Sequence, residues 1–79
     1  MPTVFSKDGF RFFFFSDEHD PTHVHVTYGE SEAQIVIDTL EVTFSTMKKN
    51  DLKKALDLAN GHKTQILEAW NEHFRKHNR

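Results

Sequence analysis

The sequence has no cysteine, which excludes disulfides, a thiol nucleophile and any thiolate-held metal. It has no apolar run near the ~18 residues that a membrane-spanning helix requires. The longest, Phe12–Phe15, is four residues and follows Arg11. No basic, apolar and small-residue leader is present, so the expected location is the cytoplasm, with no membrane partner. Repeats, low-complexity tracts and linkers are missing, and only three glycines and two prolines punctuate the 79 residues. A chain of this length buries about 60% of its unfolded surface, enough for one modest core. One domain over residues 1–79 is therefore expected.

Basic residues are scarce in the first half. From Met1 to Ser45 there are two basic and eight acidic side chains, a net −6; from Thr46 to Arg79 there are eight basic and four acidic, a net +4, giving −2 in all. An acidic half joined to a basic half points to internal pairing or to two faces with different partners. Six histidines, counted as neutral, would turn the molecule net positive in mild acid.

What is abundant is phenylalanine: eight in all, five of them between Phe10 and Phe15. Thr3–Ser6 reads as a short strand, and Lys7-Asp8-Gly9 carries the Asp-Gly signal of a tight hairpin. Phe10–Ser16 reads as a strand apolar on nearly both faces, which belongs in the middle of a sheet or under a partner. After a polar loop around Pro21, His23–Tyr28 alternates, with Val24, Val26 and Tyr28 facing one way and His23, His25 and Thr27 the other. Gly29-Glu30-Ser31 is a turn, Glu32–Asp38 alternates again, and Leu40, Val42 and Phe44 extend the two-residue period into a fifth short strand or an extended connection. From Asn50 the period lengthens: Leu52, Leu56, Ala59, Ile66, Trp70 and His73 fall on one helical stripe, with Lys63 filling its gap. Asn50 is the expected N-cap. Asn60-Gly61 carries a stop signal, yet the stripe keeps its register across it, which favours one long helix weakened at Gly61 over two helices. The expected fold is α+β, an antiparallel sheet of four or five strands followed by a C-terminal helix that is weakened or broken near Gly61.

Three chemistries are consistent with these residues. His23 and His25 are two apart on one strand, so their rings leave the same face about 7 Å apart along the chain. Two imidazoles supply half of a divalent transition-metal site, with Glu18, His19 and Asp20 in the preceding loop as the candidates to complete it. The same His23 and His25, with Arg11, form the composition of a metal-independent ribonuclease: one imidazole takes the 2′-hydroxyl proton, the other protonates the leaving oxygen, and the guanidinium steadies the phosphate. On alternation Arg11 shares a face with Phe13 and Phe15, so its reach to the histidines depends on strand order. The third chemistry is partner binding. A single helix covers one sheet face, which leaves Phe13 and Phe15 exposed on the other as an interface for a second copy or a small protein. Lys48, Lys49, Lys53 and Lys54 crowd the start of the helix, where the macrodipole disfavours cations, and present a basic patch to an acidic protein or a nucleic acid.

The run Gly9-Phe10-Arg11-Phe12-Phe13-Phe14-Phe15-Ser16, then Glu18-His19, Pro21 and His23-Val24-His25-Val26, resembles a family of small prokaryotic proteins of unknown function. The opening Pro2-Thr3-Val4-Phe5 and the closing Leu67-Glu68-Ala69-Trp70-Asn71-Glu72 are similar to the family's two ends. The resemblance implies no settled activity. It implies a gene standing beside another small gene, in the manner of toxin–antitoxin or regulatory pairs. The leading expectation is thus a protein-binding module, a homodimer or one half of such a pair; the alternatives are a His-dependent ribonuclease and a metal-binding accessory protein.

Overall fold

The computed structural model describes residues 3–14 and 22–77, the stretch 73–77 by its backbone alone. Five strands form one sheet in chain order: β1 (Thr3–Lys7), β2 (Phe10–Phe13), β3 (His23–Tyr28), β4 (Ser31–Val36) and β5 (Glu41–Ser45), each antiparallel to its neighbours. Helices α1 (Lys49–Gly61) and α2 (Lys63–His77) follow. This is the α+β arrangement expected, with the sheet at five strands and the phenylalanine strand flanked on both sides. Among the described residues, no helix is long and apolar enough to cross a membrane.

Turn chemistry sets the meander. Asp8 and Gly9 both take positive φ, 54° and 86°, the pattern of a type I′ turn, whose twist matches the strands it joins. In the β3–β4 hairpin Tyr28 pairs with Ser31 and only Gly29 of the two loop residues has positive φ, 59°, the type II′ pattern. The β4–β5 connection departs from the two-residue period. Leu40 stands in the turn with φ 60° rather than in the strand, held in that unfavourable backbone by packing its side chain against the core. Both edge strands carry an irregularity. Val4 falls between Thr3↔Phe13 and Phe5↔Phe12, and Thr43 falls between Ile35↔Val42 and Gln34↔Phe44. Extra residues of this kind bend an edge and blunt pairing with another chain.

The two faces differ. Phe10, Phe12 and Phe14, with Val24, Val26, Ile35 and Ile37, point to the side on which Ala55, Leu58, Ala59, Ile66 and Trp70 of the helices pack, and together they form the core. Phe12 is fully buried and stacks on Phe5 at 4.4 Å between ring centroids, while Phe14 meets Trp70 edge-on at 5.2 Å. The helical stripe read from the sequence includes the buried Ala59, Ile66 and Trp70, but Leu52 and Leu56 are half-buried and the deepest α1 positions are Ala55, Leu58 and Ala59. Lys63, in the gap of the stripe, is half-buried, and its Nζ donates to the Asp38 carbonyl at 3.1 Å.

Two local expectations about the helix are corrected. The N-cap is Lys48, extended and without a side-chain cap bond, so Asn50 lies in the first turn. The helix is also not continuous: α1 ends at Gly61 and α2 starts at Lys63, with His62 between them at φ −115°, ψ 20°. The stripe keeps register because the junction is a single residue. The His62 N–H is shared between the Leu58 and Ala59 carbonyls at 3.0 and 3.3 Å, and the Ile66 N–H donates to the His62 carbonyl at 2.9 Å. A carbonyl only accepts, so His62 Nδ1 donates to the Leu58 carbonyl at 2.9 Å, and the ring stacks on Phe5 at 4.1 Å. Gly61 weakens the helix locally, and the His62 contacts fix the break one residue later.

Candidate functional site

The sheet face away from this core is set out by pairing register alone. Partners directly opposite in an antiparallel sheet share a face. One row therefore holds Arg11, Thr27 and Glu32, the next holds Phe13, His25, Gln34 and Phe44, and a third holds His23, Val36 and Glu41. Of these side chains Phe13 alone is buried; the others are half-buried or exposed.

Strand order thus places Arg11 on the same face as both histidines. The guanidinium carbon of Arg11 lies 4.7 Å from the Phe13 ring centroid, within cation–π range. Arg11 Nε and Nη2 both donate to Thr3 Oγ1, at 3.2 and 3.1 Å, which holds the planar group over the ring. Phe13 stacks on His25 at 5.5 Å with 23° between planes, and His25 meets His23 edge-on at 5.6 Å. His23 in turn lies 5.6 Å from Trp70 at the margin of the face. A continuous line of contacts, Arg11–Phe13–His25–His23, crosses β2 and β3.

Beside it is a shallow depression of about 80 Å³, lined by Phe13, His25, Thr27, Glu32 and Gln34 with backbone-proximal Val26 and Ala33 at its floor. Glu32 is fixed there through its backbone: its N–H donates to Thr46 Oγ1 at 3.0 Å and its carbonyl accepts from the Thr46 N–H at 2.8 Å. Thr27, Glu32, Gln34 and Phe44 are the functional candidates that a reading by single strands misses. Each is unremarkable on its own strand, and their adjacency exists only once β3, β4 and β5 are in register.

The expected site residues separate into groups. His23, His25 and Arg11 come together as described. Glu18, His19, Asp20 and Phe15 lie outside the described residues; among the described residues no three histidine or carboxylate side chains converge to hold a metal ion. Phe13 was expected to be exposed, and this is corrected: it is 5% exposed, covered by Arg11 and flanked by His25. Lys48, the N-cap, and Lys49, Lys53 and Lys54 of α1 are exposed, in the layer on the other side of the sheet from the histidines. Lys54 Nζ pairs with Asp8 at 3.3 Å, both side chains being 51% exposed.

The model of a family described as a domain of unknown function, DUF4160, matches residues 9–71. The chain belongs to that family. No curated protein and no solved structure matches it. The DUF4160 match takes in β2 through β5, α1 and the part of α2 that includes Trp70, and with them every residue of the three rows above.

Proposed function

We propose that the sheet face away from the helices is the working surface of this chain and that it carries His-dependent cleavage of RNA. The observation that supports this reading is the line Arg11–Phe13–His25–His23 on one sheet face, with 4.7 Å from the Arg11 guanidinium to the Phe13 ring, 5.5 Å from that ring to His25 and 5.6 Å from His25 to His23. A phosphate group accepting hydrogen bonds of about 2.8 Å from two imidazoles bridges rings at this spacing. The reaction then needs no metal. One histidine, neutral, takes the proton of the ribose 2′-hydroxyl, and the oxygen attacks phosphorus. The P–O5′ bond breaks as the other histidine, protonated, gives its proton to the leaving oxygen. Arg11 meets the charge that develops on the non-bridging oxygens. On this face Glu32 and Glu41 stand against Arg11 and the two histidines, while Asp8, Glu30 and Asp38 lie in the turns.

The test is an RNA-cleavage assay on purified wild type, His23→Ala, His25→Ala and Arg11→Ala. Each histidine variant is expected to lose about 100-fold or more in rate, the usual weight of a positioned acid or base. Equal background for wild type and His25→Ala would remove the reading. Trp70, the single tryptophan, gives a second readout, because an anion held at His23 perturbs the indole 5.6 Å away; its emission is expected to respond to inorganic phosphate in wild type and not in His23→Ala.

A second reading, a protein-binding module acting as a homodimer or as one half of a small-gene pair, is supported by Phe44. It is 45% exposed at the end of the second row, and an exposed large aromatic beside polar groups suits a docking contact.

A further inference from the structure

The line of histidines accounts for a phosphate, but not for the depression next to it. We infer that this depression is a base-recognition subsite and that it selects guanine. The inference rests on the ribonuclease reading above, and it names the substrate class of that site.

The depression shares His25 with the catalytic pair, and Glu32 also lines it. Glu32 pairs with Thr27, two residues along β3 from His25. By the sheet's own spacings of about 3.4 Å per residue and about 4.8 Å between strands, the Glu32 carboxylate is rooted roughly 8 Å from His25. That is the reach of one nucleotide, with its phosphate at the histidines and its base at Glu32. At about 80 Å³ the depression is too small to swallow a base and admits its edge. Recognition of single-stranded RNA works in this way, by hydrogen bonds to a Watson–Crick edge and stacking on an aromatic side chain.

The choice among bases follows from donors and acceptors. A carboxylate offers two acceptor oxygens side by side and no donor. Guanine presents N1–H and N2–H side by side. Adenine and cytosine each present one amino group beside an acceptor nitrogen, and uracil presents one N–H between two carbonyls, so each sets an acceptor against the second carboxylate oxygen. Thr27, directly across from Glu32 on β3, and Gln34, two residues along β4, carry the mixed donor and acceptor groups that can meet the remaining guanine O6. Phe44, outside the lining of the depression but next to Gln34 in register and 45% exposed, is the ring on which the part of the base outside the depression stacks.

The experiment titrates isotope-labelled protein with the four nucleoside 3′-monophosphates and with inorganic phosphate, following amide shifts by NMR. Guanosine 3′-monophosphate is expected to bind about tenfold tighter than the other three, the discrimination of one bidentate contact. It should move Glu32, Gln34 and Phe44 amides as well as those of His23 and His25, whereas inorganic phosphate should move the histidine region only. Glu32→Gln, an exposed substitution whose fold is checked in the same spectra, is expected to abolish the preference and leave phosphate binding unchanged. Equal affinity for all four nucleotides would overturn guanine selection while sparing the phosphate site. Shifts at Glu32 and Gln34 that persist undiminished in Glu32→Gln would overturn the role of the carboxylate. Absence of any binding, phosphate included, would overturn this inference together with the ribonuclease reading.

Discussion

Phe12 shows how much of this fold rests on single side chains. It is completely buried, stacked on Phe5, and lies in the row that runs through Val26 to Ala33. Truncating a buried Phe costs about 3–5 kcal/mol, and a domain of this length has roughly 4–12 kcal/mol to lose. Phe12→Ala is therefore expected to lose at least a quarter of the wild-type unfolding free energy in a urea titration. Gly9 is a second such position, for a different reason. Its φ of 86° is strained for any L side chain, and an added Cβ would stand 3.0 Å from Tyr28 Cε1. Gly9→Ala is expected to destabilise by about 1–2 kcal/mol, read as a lower urea midpoint at unchanged slope. Both effects are legible in part from sequence: Asp8-Gly9 announces its turn type, but the Tyr28 ring over Gly9 comes from the β2–β3 register, where Phe10 faces Tyr28 and stacks on it at 4.1 Å.

At the scale of elements, the helix pair behaves differently from the hairpins. Gly61 is the last residue of α1, its φ is not positive, and nothing lies within 4 Å of where its Cβ would be. Gly61→Ala keeps the backbone, fills open space and lowers the entropy of the unfolded chain, so it is expected to stabilise by about 0.5–1 kcal/mol. A rise in Tm of roughly 2–8 °C in a thermal melt is the corresponding outcome, and a fall would mean that the junction at His62 needs the glycine. Asn60-Gly61 correctly marked this weak point, but the sequence periodicity favoured a continuous helix because a one-residue junction does not shift the stripe. What resolves it is the contact of His62 with Phe5, fifty-odd positions earlier in the chain, which no local pattern contains. The fifth strand is similar: the extra residue Thr43 breaks the expected two-residue period, setting Val42 opposite Ile35 and Phe44 opposite Gln34 on the other face, while Leu40 is drawn into the turn by the core.

For the whole molecule, the surface decides whether a partner is needed to complete folding. The chain exposes 5158 Å², against about 5,000 Å² expected of a closed monomer of this mass. Among the described residues Tyr28 and Phe44 are the large apolar side chains left exposed, and both sheet edges are bent by extra residues. Light scattering is accordingly expected to give a monomer for wild type and for Phe44→Asp alike. A wild-type dimer that Phe44→Asp dissociates would favour the protein-binding reading instead. The opposed charges of the two halves meet at the Lys54–Asp8 pair, which is well exposed and worth at most about 1 kcal/mol. Lys54→Ala is expected to change the unfolding free energy by less than that in a urea titration.

Composition and periodicity by themselves determined the class of this protein: no thiol chemistry, one small core, alternating strands then helix, and a His-x-His strand with both rings on one side. Those features are local, because a side chain's direction along a strand or helix follows from its own backbone. Which strand lies beside which is not local. Antiparallel register put Arg11 against Thr27, Phe13 against His25 and Glu32 against Thr27, and so turned scattered residues into one face with a line of ring contacts and a shallow depression beside it. The same pairing buried Phe13 under Arg11 and moved the candidate site from the phenylalanines to the histidines. Tertiary structure alone decided that, since the energy of such contacts depends on neighbours that the chain brings together only when it folds.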